Sequence, residues 1–291
     1  IPELLNSQGL DKQITEKLRL KSKSANLKRW KKVSRLEKNR KGITKIALVG
    51  KYTELADSYK SVNEALVHAG IHNKTEVEIE YFDSQDFDKG VKKFKPHGIL
   101  IPGGFVGRGI NVMINVAKFA RTKNIPFFGI CLGMQVAVIE FARNVLKISA
   151  NSTEFEKTTK HPVIALITEW MEKKGLTQIR NENSDKGGTM RLGSQICILE
   201  KNSKMSKMYK SRKISERHRH RYEFNSNYLE KIKSKGMNIV GFSEDKNLVE
   251  AIELKGHKWF VGCQFHPEFT SDPRTGHPLF NGFIRAAKVT K

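Results

Sequence analysis

The stretch that decides the fold is IPFFGICLGMQ, residues 125–135, in which Cys131 stands between Gly129 and Gly133. The apolar run before the cysteine is typical of a buried strand, and residues 134–146 are helix-like. A backbone that turns sharply from a strand into a helix crowds side chains two positions before and after the turn, so small residues are needed there. The segment therefore predicts a strand–turn–helix joint with a cysteine at its tip.

The regions on either side of this joint alternate between strand-like and helix-like patterns. Strands are predicted at residues 45–49, 76–82, 98–101 and 127–130. Helices are predicted between residues 57 and 70, where Gly70 ends the pattern, at 110–123 and at 132–146. This β-α-β-α order predicts an α/β fold, a doubly wound and mainly parallel sheet with flanking helices.

Beyond residue 150 the pattern changes, and an antiparallel β extension is predicted. Its strand-like runs are residues 195–199, 217–223, 239–242, 249–254 and 259–265, after a loop or flap at 168–194 and before a last helix at 279–287. Residues 1–41 are polar and basic, and we interpret them as a partly helical linker that docks through Trp30. The main domain is predicted to span residues 42–291.

The amino-acid composition limits the classes of protein to which the chain can belong. The chain has 291 residues and a net charge of +23, and residues 1–41 alone hold 13 Lys and Arg against 4 Asp and Glu. The other basic residues are scattered among acidic ones without interleaved aromatic residues, which argues against nucleic-acid binding as the main function. Three cysteines without paired spacing predict a reducing, cytoplasmic location. The longest apolar run, residues 125–142, is interrupted by polar residues, so no membrane span is expected.

Cys131 has the setting of a nucleophile. The helix predicted to start at Leu132 directs its free N–H groups and its positive end toward the sulfur, which favours the thiolate. From this segment alone, a buried structural cysteine in a packed turn remains the alternative.

The segment QFHPEFT, residues 264–270, supplies a candidate proton shuttle. Residues two apart on an extended segment project to the same side, so Glu268 can bond His266 and set the tautomer of its ring. His266 would then serve Cys131 as general base and later protonate a leaving amine.

A candidate oxyanion hole comes from ILIPGGF, residues 99–105, which ends a predicted strand with two glycines. Backbone N–H groups there can approach a substrate without an intervening Cβ. The N–H groups of Gly104 and Leu132 are the predicted donors.

These three features together resemble the triad-type, class I glutamine amidotransferases. Further segments resemble the family members that carry a synthetase domain: ANSTEF (150–155), ITEW (167–170), GGTMRLG (187–193), ERHRHRYEFN (216–225) and CQFHPEFTSDP (263–273). Residues 1–10, IPELLNSQGL, are similar to the end of that synthetase domain. The resemblance implies that residues 1–41 are an interdomain linker with the end of a synthetase domain, and that residues 42–291 are the amidotransferase domain.

The resemblance also implies a set of site residues. The catalytic triad would be Cys131, His266 and Glu268. L-Glutamine would be bound by Gly104, Leu132, Gly133, Met134, Gln135, Glu154 and Arg221. Because free glutamine is a zwitterion, a carboxylate such as Glu154 suits its ammonium group and a guanidinium such as Arg221 suits its carboxylate.

The implied activity is hydrolysis of glutamine through a thioester, which releases ammonia for the ATP-dependent amination of UTP. No GxxxxGK[ST] phosphate loop occurs in the chain, and no cofactor is expected in it. The resemblance places ATP, magnesium and UTP in the synthetase domain, with GTP as an allosteric activator, and implies a homo-oligomeric, tetrameric whole enzyme.

His218 and His220 suggest a metal site, but Arg217, Arg219 and Arg221 beside them would repel a cation, so no metal is predicted.

One position departs from the family pattern PGGFGxRG, because residues 102–109 read PGGFVGRG and Val106 replaces a glycine. A positive φ there would strain the valine by about 1 kcal/mol or more.

Two alternative functions stay open: another class I amidotransferase or a γ-glutamyl hydrolase of the same fold, and a non-catalytic basic binding or assembly module. The intact Cys131, His266 and Glu268 favour an enzyme.

Overall fold

The computed structural model describes residues 1–50, 56–83, 87–104, 109–166 and 190–289. Its helices are α1 (Pro2–Ser7), α2 (Leu10–Lys17), α3 (Lys28–Lys38), α4 (Lys60–Asn73), α5 (Phe87–Phe94), α6 (Ile110–Thr122), α7 (Leu132–Asn144), α8 (Lys204–Tyr209), α9 (Leu229–Ser234) and α10 (Pro278–Ala287). Its strands are β1 (Ile43–Gly50), β2 (Glu76–Asp83), β3 (Gly98–Ile101), β4 (Phe127–Ile130), β5 (Ala150–Ser152), β6 (His161–Leu166), β7 (Arg191–Leu199), β8 (Lys213–His220), β9 (Tyr222–Phe224), β10 (Met237–Ser243), β11 (Val249–Leu254) and β12 (Phe260–Cys263). Short 3₁₀ turns lie at Ala56–Tyr59, Ser226–Tyr228 and Pro267–Thr270.

A large sheet forms the centre of the described structure, in the order β2-β1-β3-β4-β12-β11-β10-β7-β8. From β2 to β12 the neighbouring strands are parallel, and from β12 to β8 they are antiparallel. Helices α6 and α7 contribute to the apolar core on one face of the sheet, and α4 and α10 to the core on the other. The predicted α/β fold, with a doubly wound, mainly parallel sheet and an antiparallel extension, is confirmed.

Strand β12 lies in a different place from the one predicted for residues 259–265. We expected it within the antiparallel extension, but it pairs in parallel with β4, with Cys263 opposite Ile130. On its other side it pairs antiparallel with β11. The rings of Phe127 and Phe260 stack across the β4–β12 pair, with centroids 4.4 Å apart. The residues that follow β4 and β12 therefore emerge side by side at one edge of the sheet.

Helix α4 continues past Gly70, where the pattern predicted its end. A Cβ at Gly70 would lie 2.7 Å from Cγ2 of Val77 and 2.9 Å from the carbonyl oxygen of Thr75. Glycine is therefore needed there for close packing of α4 against β2 rather than to end the helix. The helix ends instead at Asn73, followed by Lys74 with a φ of 53°.

The predicted strand at residues 217–223 is two strands in the structure. Strand β8 ends at His220 and is the edge strand of the large sheet, whereas β9 begins at Tyr222 and belongs to a smaller sheet of order β5-β6-β9. Arg221 lies at the break between them. Strand β7 begins at Arg191, inside the predicted loop, and residues 167–189 of that loop lie outside the described residues.

The N-terminal segment is partly helical, as predicted, through α1, α2 and α3. Val33 rather than Trp30 is the buried side chain of α3, and Trp30 is half-buried. Among the described residues, none of the helices combines the length and the apolar character that crossing a membrane requires.

Candidate active site

Cys131 lies at the tip of the joint between β4 and α7, with φ 50° and ψ −102°. Such a backbone conformation is rare for a residue with a side chain and costs about 1–3 kcal/mol. A Cβ on Gly129 would lie 2.6 Å from the carbonyl carbon of Gly133, and a Cβ on Gly133 would collide with the carbonyl oxygen of Ile101. The predicted need for glycine at both positions is therefore confirmed, because the turn packs backbone against backbone.

His266 and Glu268 follow β12 and lie in the turn beside this elbow. Nδ1 of His266 lies 2.7 Å from Oε1 of Glu268, and both side chains are buried. The backbone N–H of His266 donates to the carbonyl oxygen of Arg217 at 2.8 Å, which ties the turn to β8. Nε2 of His266 is buried and makes no hydrogen bond within the described part of the chain. The Glu268 carboxylate therefore accepts a hydrogen bond from the Nδ1–H group, which leaves Nε2 to face Cys131.

The environment of His266 favours its protonated form. Burial by itself lowers the pKa of His266, but the neighbouring sulfur of Cys131 and the carboxylate of Glu268 raise it, to about 10. The ring then carries a positive charge at neutral pH. A protonated imidazole beside a sulfur favours the thiolate, so the pair is arranged as a nucleophile next to a proton donor.

Gly103 belongs to the site, although only its neighbour Gly104 was predicted. A Cβ on Gly103 would lie 2.5 Å from Cε1 of His266 and 3.3 Å from Nδ1 of the same ring. Position 103 must therefore be glycine for the imidazole to occupy its place. At Gly104 the nearest atom to such a Cβ is Cδ2 of Leu132 at 3.7 Å, so a Cβ there would make only an ordinary van der Waals contact. The Pro-Gly-Gly sequence indicates that both glycines are close to the site. The structure shows that Gly103 makes room for the imidazole ring, whereas Gly104 does not.

A cavity of about 590 Å³ opens in front of Cys131, within the size range of small-molecule sites. The structure brings these predicted residues together around it: Gly104, Cys131, Gln135, Glu154, Arg221, His266 and Glu268. The predicted Leu132, Gly133 and Met134 form the first turn of α7 behind the cavity wall, and all three residues are buried. They can reach a ligand in the cavity only through backbone groups.

Glu154 and Arg221 enter the cavity from separate elements, since Glu154 follows β5 and Arg221 lies between β8 and β9. Burial raises the pKa of Glu154 to about 7. A ligand ammonium group beside this carboxylate would favour its ionised form and lower that pKa. Arg219 also lines the cavity and was not predicted as a site residue.

Next to the cavity lies a buried ionic cluster formed by Arg191, His218, His220, Glu223 and Glu250. Nη2 of Arg191 lies 2.7 Å from Oε1 of Glu250, and Nη1 lies 3.2 Å from Oε1 of Glu223. Burial raises the pKa of Glu223 to about 8 against the opposing effect of Arg191, and burial lowers the pKa of His218 to about 3. The ionic cluster joins the large sheet, through β7, β8 and β11, to β9 of the small sheet.

The places of His218 and His220 change the reason for expecting no metal. Along β8 the histidines are buried and alternate with the exposed Arg217 and Arg219, so these arginines lie on the opposite face. Burial lowers the pKa values of both histidines, and Arg191 and the ring of His266, which lie near them, lower these pKa values further. Nδ1 of His218 lies 2.9 Å from Nε2 of His220. Across the described ranges, no three His, Cys, Asp or Glu side chains are placed to hold a metal ion.

A cysteine on a strand–turn–helix elbow, with a His–Glu pair beside it and a cavity in front, is an arrangement typical of enzymes that use a cysteine nucleophile. Residues 54–286 match the family described as glutamine amidotransferase class-I. The chain therefore belongs to the class I glutamine amidotransferases.

The structure is similar to that of the glutaminase domain of Trypanosoma brucei CTP synthase, solved with bound acivicin. The two chains are 38% identical, with a TM-score of 0.75 over 84% of this chain and 93% of that one. A glutamine amidotransferase from Thermotoga maritima is 12% identical over 84% of this chain and 96% of its own, with a TM-score of 0.44. One from Methylobacillus flagellatus is 10% identical over 77% and 70%, with a TM-score of 0.44. At these scores the last two add nothing to the family assignment.

Three of the sequence features lie wholly or partly outside the described residues. They are Val106, the ITEW segment, and the first part of GGTMRLG. The strain expected at Val106 therefore stays a prediction.

Proposed function

We propose that this chain hydrolyses L-glutamine to glutamate and ammonia through a γ-glutamyl thioester on Cys131. The observation that carries the proposal is the strained elbow, which presents Cys131 to the cavity beside the His266–Glu268 pair. The same cavity offers a carboxylate at Glu154 and a guanidinium at Arg221, which match the two charges of a free amino acid.

The reaction follows from these positions. The sulfur of Cys131 attacks the side-chain carbonyl carbon of glutamine, and the oxygen that becomes negative is bound by the N–H groups of Gly104 and Leu132. His266 gives its proton to the amide nitrogen, so that the C–N bond breaks and ammonia leaves. His266 then takes a proton from water, which attacks the thioester carbonyl and releases glutamate. Glu268 keeps the ring oriented through both steps.

The binding role of Glu154 is open to a direct test. Replacing Glu154 by glutamine is expected to raise KM for L-glutamine at least about tenfold, because the substrate ammonium loses its counter-charge. The same change should stabilise the ligand-free protein at alkaline pH. Folding raises the pKa of Glu154 from 4.5 to about 7, so the wild-type protein loses stability as pH rises through that range. The stability advantage of E154Q should therefore grow from pH 5 to pH 8.

Steady-state kinetics and urea unfolding at several pH values measure the two effects. Glu156, an exposed carboxylate two residues further on whose Oε2 accepts from Asn151, provides the control variant E156Q. It should leave KM unchanged. If E154Q had the wild-type KM and no pH-dependent gain in stability, the proposed role of Glu154 in binding glutamine would be wrong.

We further propose that the ammonia serves a synthetase domain of the same polypeptide, where ATP and magnesium activate UTP and amination gives CTP. The 38% identity to the trypanosomal glutaminase domain supports this reaction over those of other class I amidotransferases. In this proposal residues 1–41 are the linker and the end of the synthetase domain, GTP is the activator, and the whole enzyme is a homo-oligomer. The apolar side chains that α1, α2 and the following residues expose support contact with another domain: Leu4, Leu5, Leu10, Ile14, Leu18 and Leu20.

The experiment compares glutamine hydrolysis by residues 1–291 with that by a longer protein that carries the synthetase domain, in the presence of ATP, UTP and GTP. The longer protein should hydrolyse glutamine about tenfold faster or more, equivalent to about 1.4 kcal/mol in activation free energy, and should form CTP. Hydrolysis by both proteins without any CTP would support the glutaminase and reject the CTP reaction. If neither protein hydrolysed glutamine, the proposed glutaminase activity would be rejected as well.

A further inference from the structure

Gln264 is a completely buried side chain whose amide lies against the nucleophile. It follows directly after β12, between Cys263 and Phe265. Its Nε2 lies 3.6 Å from Sγ of Cys131, a hydrogen-bond distance when the acceptor is sulfur. The side chain is fully shielded from solvent, so the residues packed around it determine the orientation of its amide group.

Those neighbours hold the amide of Gln264 in one orientation. Its backbone N–H donates to the carbonyl oxygen of Glu250 at 2.8 Å. Nε2 of Gln135 donates to the carbonyl oxygen of Tyr222 at 3.0 Å, and the same nitrogen lies 3.3 Å from Oε1 of Gln264. A backbone carbonyl can only accept, so the NH₂ group of Gln135 must be the one facing Tyr222. Gln264 therefore presents its oxygen to Gln135 and its NH₂ group to Cys131.

We propose that Gln264 is a further catalytic residue, whose side-chain N–H donates to the thiolate of Cys131. The bond stabilises the anion and holds the sulfur in place before attack, since hydrogen bonds to charged groups are the stronger ones. As the S–C bond forms, the negative charge moves from the sulfur to the carbonyl oxygen, and the donor at Gln264 loses its charged partner. No proton moves through Gln264, because the proton that ammonia needs comes from His266.

The role in hydrolysis rests on the proposed glutaminase function, whereas the donation to sulfur rests on geometry alone. The sulfur is also faced by titratable and charged groups from other elements, which stay unchanged in the test. They are His266 and Glu268 from the adjacent turn, Cys263 from β12, and Glu154, His220, Arg219 and Arg221 around the cavity.

The test is the pH dependence of alkylation of Cys131 by iodoacetamide, in the absence of glutamine. Gln264→Met removes the donor at similar size, and Gln264→Leu removes both polar atoms with a smaller apolar side chain. We expect the midpoint of the alkylation profile to rise by about one pH unit in both variants. One unit corresponds to about tenfold less thiolate below the midpoint, or about 1.4 kcal/mol.

Gln195→Met is the matched control, since Gln195 is another glutamine within the fold that bonds the side chain of Arg191 and not the sulfur. It should leave the alkylation midpoint of Cys131 unchanged. If Q264M does not fold, Q264L carries the test, because it buries no charge and its smaller side chain fits the space that Gln264 occupies. Midpoints equal to that of the wild type in folded variants would overturn the proposal.

The two proposals fail in different ways. A shifted midpoint in a protein that never hydrolyses glutamine would uphold the N–H···S bond and reject the glutaminase. Glutamine hydrolysis by the wild type with an unshifted midpoint in the variants would do the reverse.

Discussion

Replacing Cys131 by alanine is expected to lower the rate of glutamine hydrolysis by about four orders of magnitude or more, equivalent to about 5 kcal/mol or more in activation free energy. Without the sulfur no thioester can form, and the remaining N–H donors and the His266–Glu268 pair have no nucleophile to serve. Glu268→Ala should retain weak activity, because Glu268 orients and charges His266 but does not bond the substrate carbon. Ammonia release by purified variants measures both effects.

A glutamine-mimicking diazoketone supplies a second measurement on the same residue. Intact-mass and peptide analysis should show one adduct, at Cys131, and none on C131A. Cys197 and Cys263 are buried, and burial raises the pKa of both thiols, so they should remain unmodified. Cys197→Ala is the matched control and should keep its labelling and its turnover. Equal labelling of all three cysteines, or an active C131A variant, would refute the assignment of the nucleophile.

Replacing Arg191 by methionine is expected to destabilise the protein by about 3–5 kcal/mol, because it leaves Glu223 and Glu250 buried without their counter-charge. Both carboxyl groups already have pKa values raised by burial, and Arg191 is what opposes that rise. In the variant they must take up protons on folding. A group whose pKa is raised in the folded state loses its stabilising contribution as pH increases, so the deficit of R191M should be larger at pH 9 than at pH 6.

Urea unfolding at the two pH values measures this effect. The control is Lys213→Met, which breaks an exposed ion pair with Glu244 at the same 2.7 Å distance as the buried pair between Arg191 and Glu250. Exposed pairs contribute little, so K213M should change the free energy of unfolding by about 0.5 kcal/mol or less. If R191M and K213M changed the free energy of unfolding equally, the buried ion pairs of Arg191 would contribute no more to stability than an exposed pair.

Local features of the site were predictable because their causes lie within a few residues of each other. Gly129 and Gly133 stand two positions from Cys131, and the steric need for them arises in the turn itself. The spacing of His266 and Glu268 brings the two side chains together without help from the rest of the chain, and the structure has them 2.7 Å apart. Gly70 shows the limit of such reasoning, because a local pattern cannot distinguish a glycine that ends a helix from one that lets a strand approach it.

Alternation along β8 shows a second limit. His218 and His220 are neighbours of arginines in the sequence, and the sequence pattern predicts that those arginines repel a metal ion. The strand places the histidines on the buried face, where the neighbouring cations include Arg191 from β7. The partner of a buried charge is chosen by sheet pairing, which single-sequence patterns do not encode.

The amino-acid sequence by itself therefore determined the alternating α/β order, the cysteine elbow and the His–Glu pair, since each depends on contacts between residues close in the chain. Only the tertiary structure decided that β12 inserts next to β4, which brings His266 to Cys131, Gln264 to the sulfur and Gly103 under the imidazole ring. These contacts join segments far apart in the chain. They exist because parallel strands end at a common edge of the sheet, and the order of strands is set by the burial of both faces of the whole sheet.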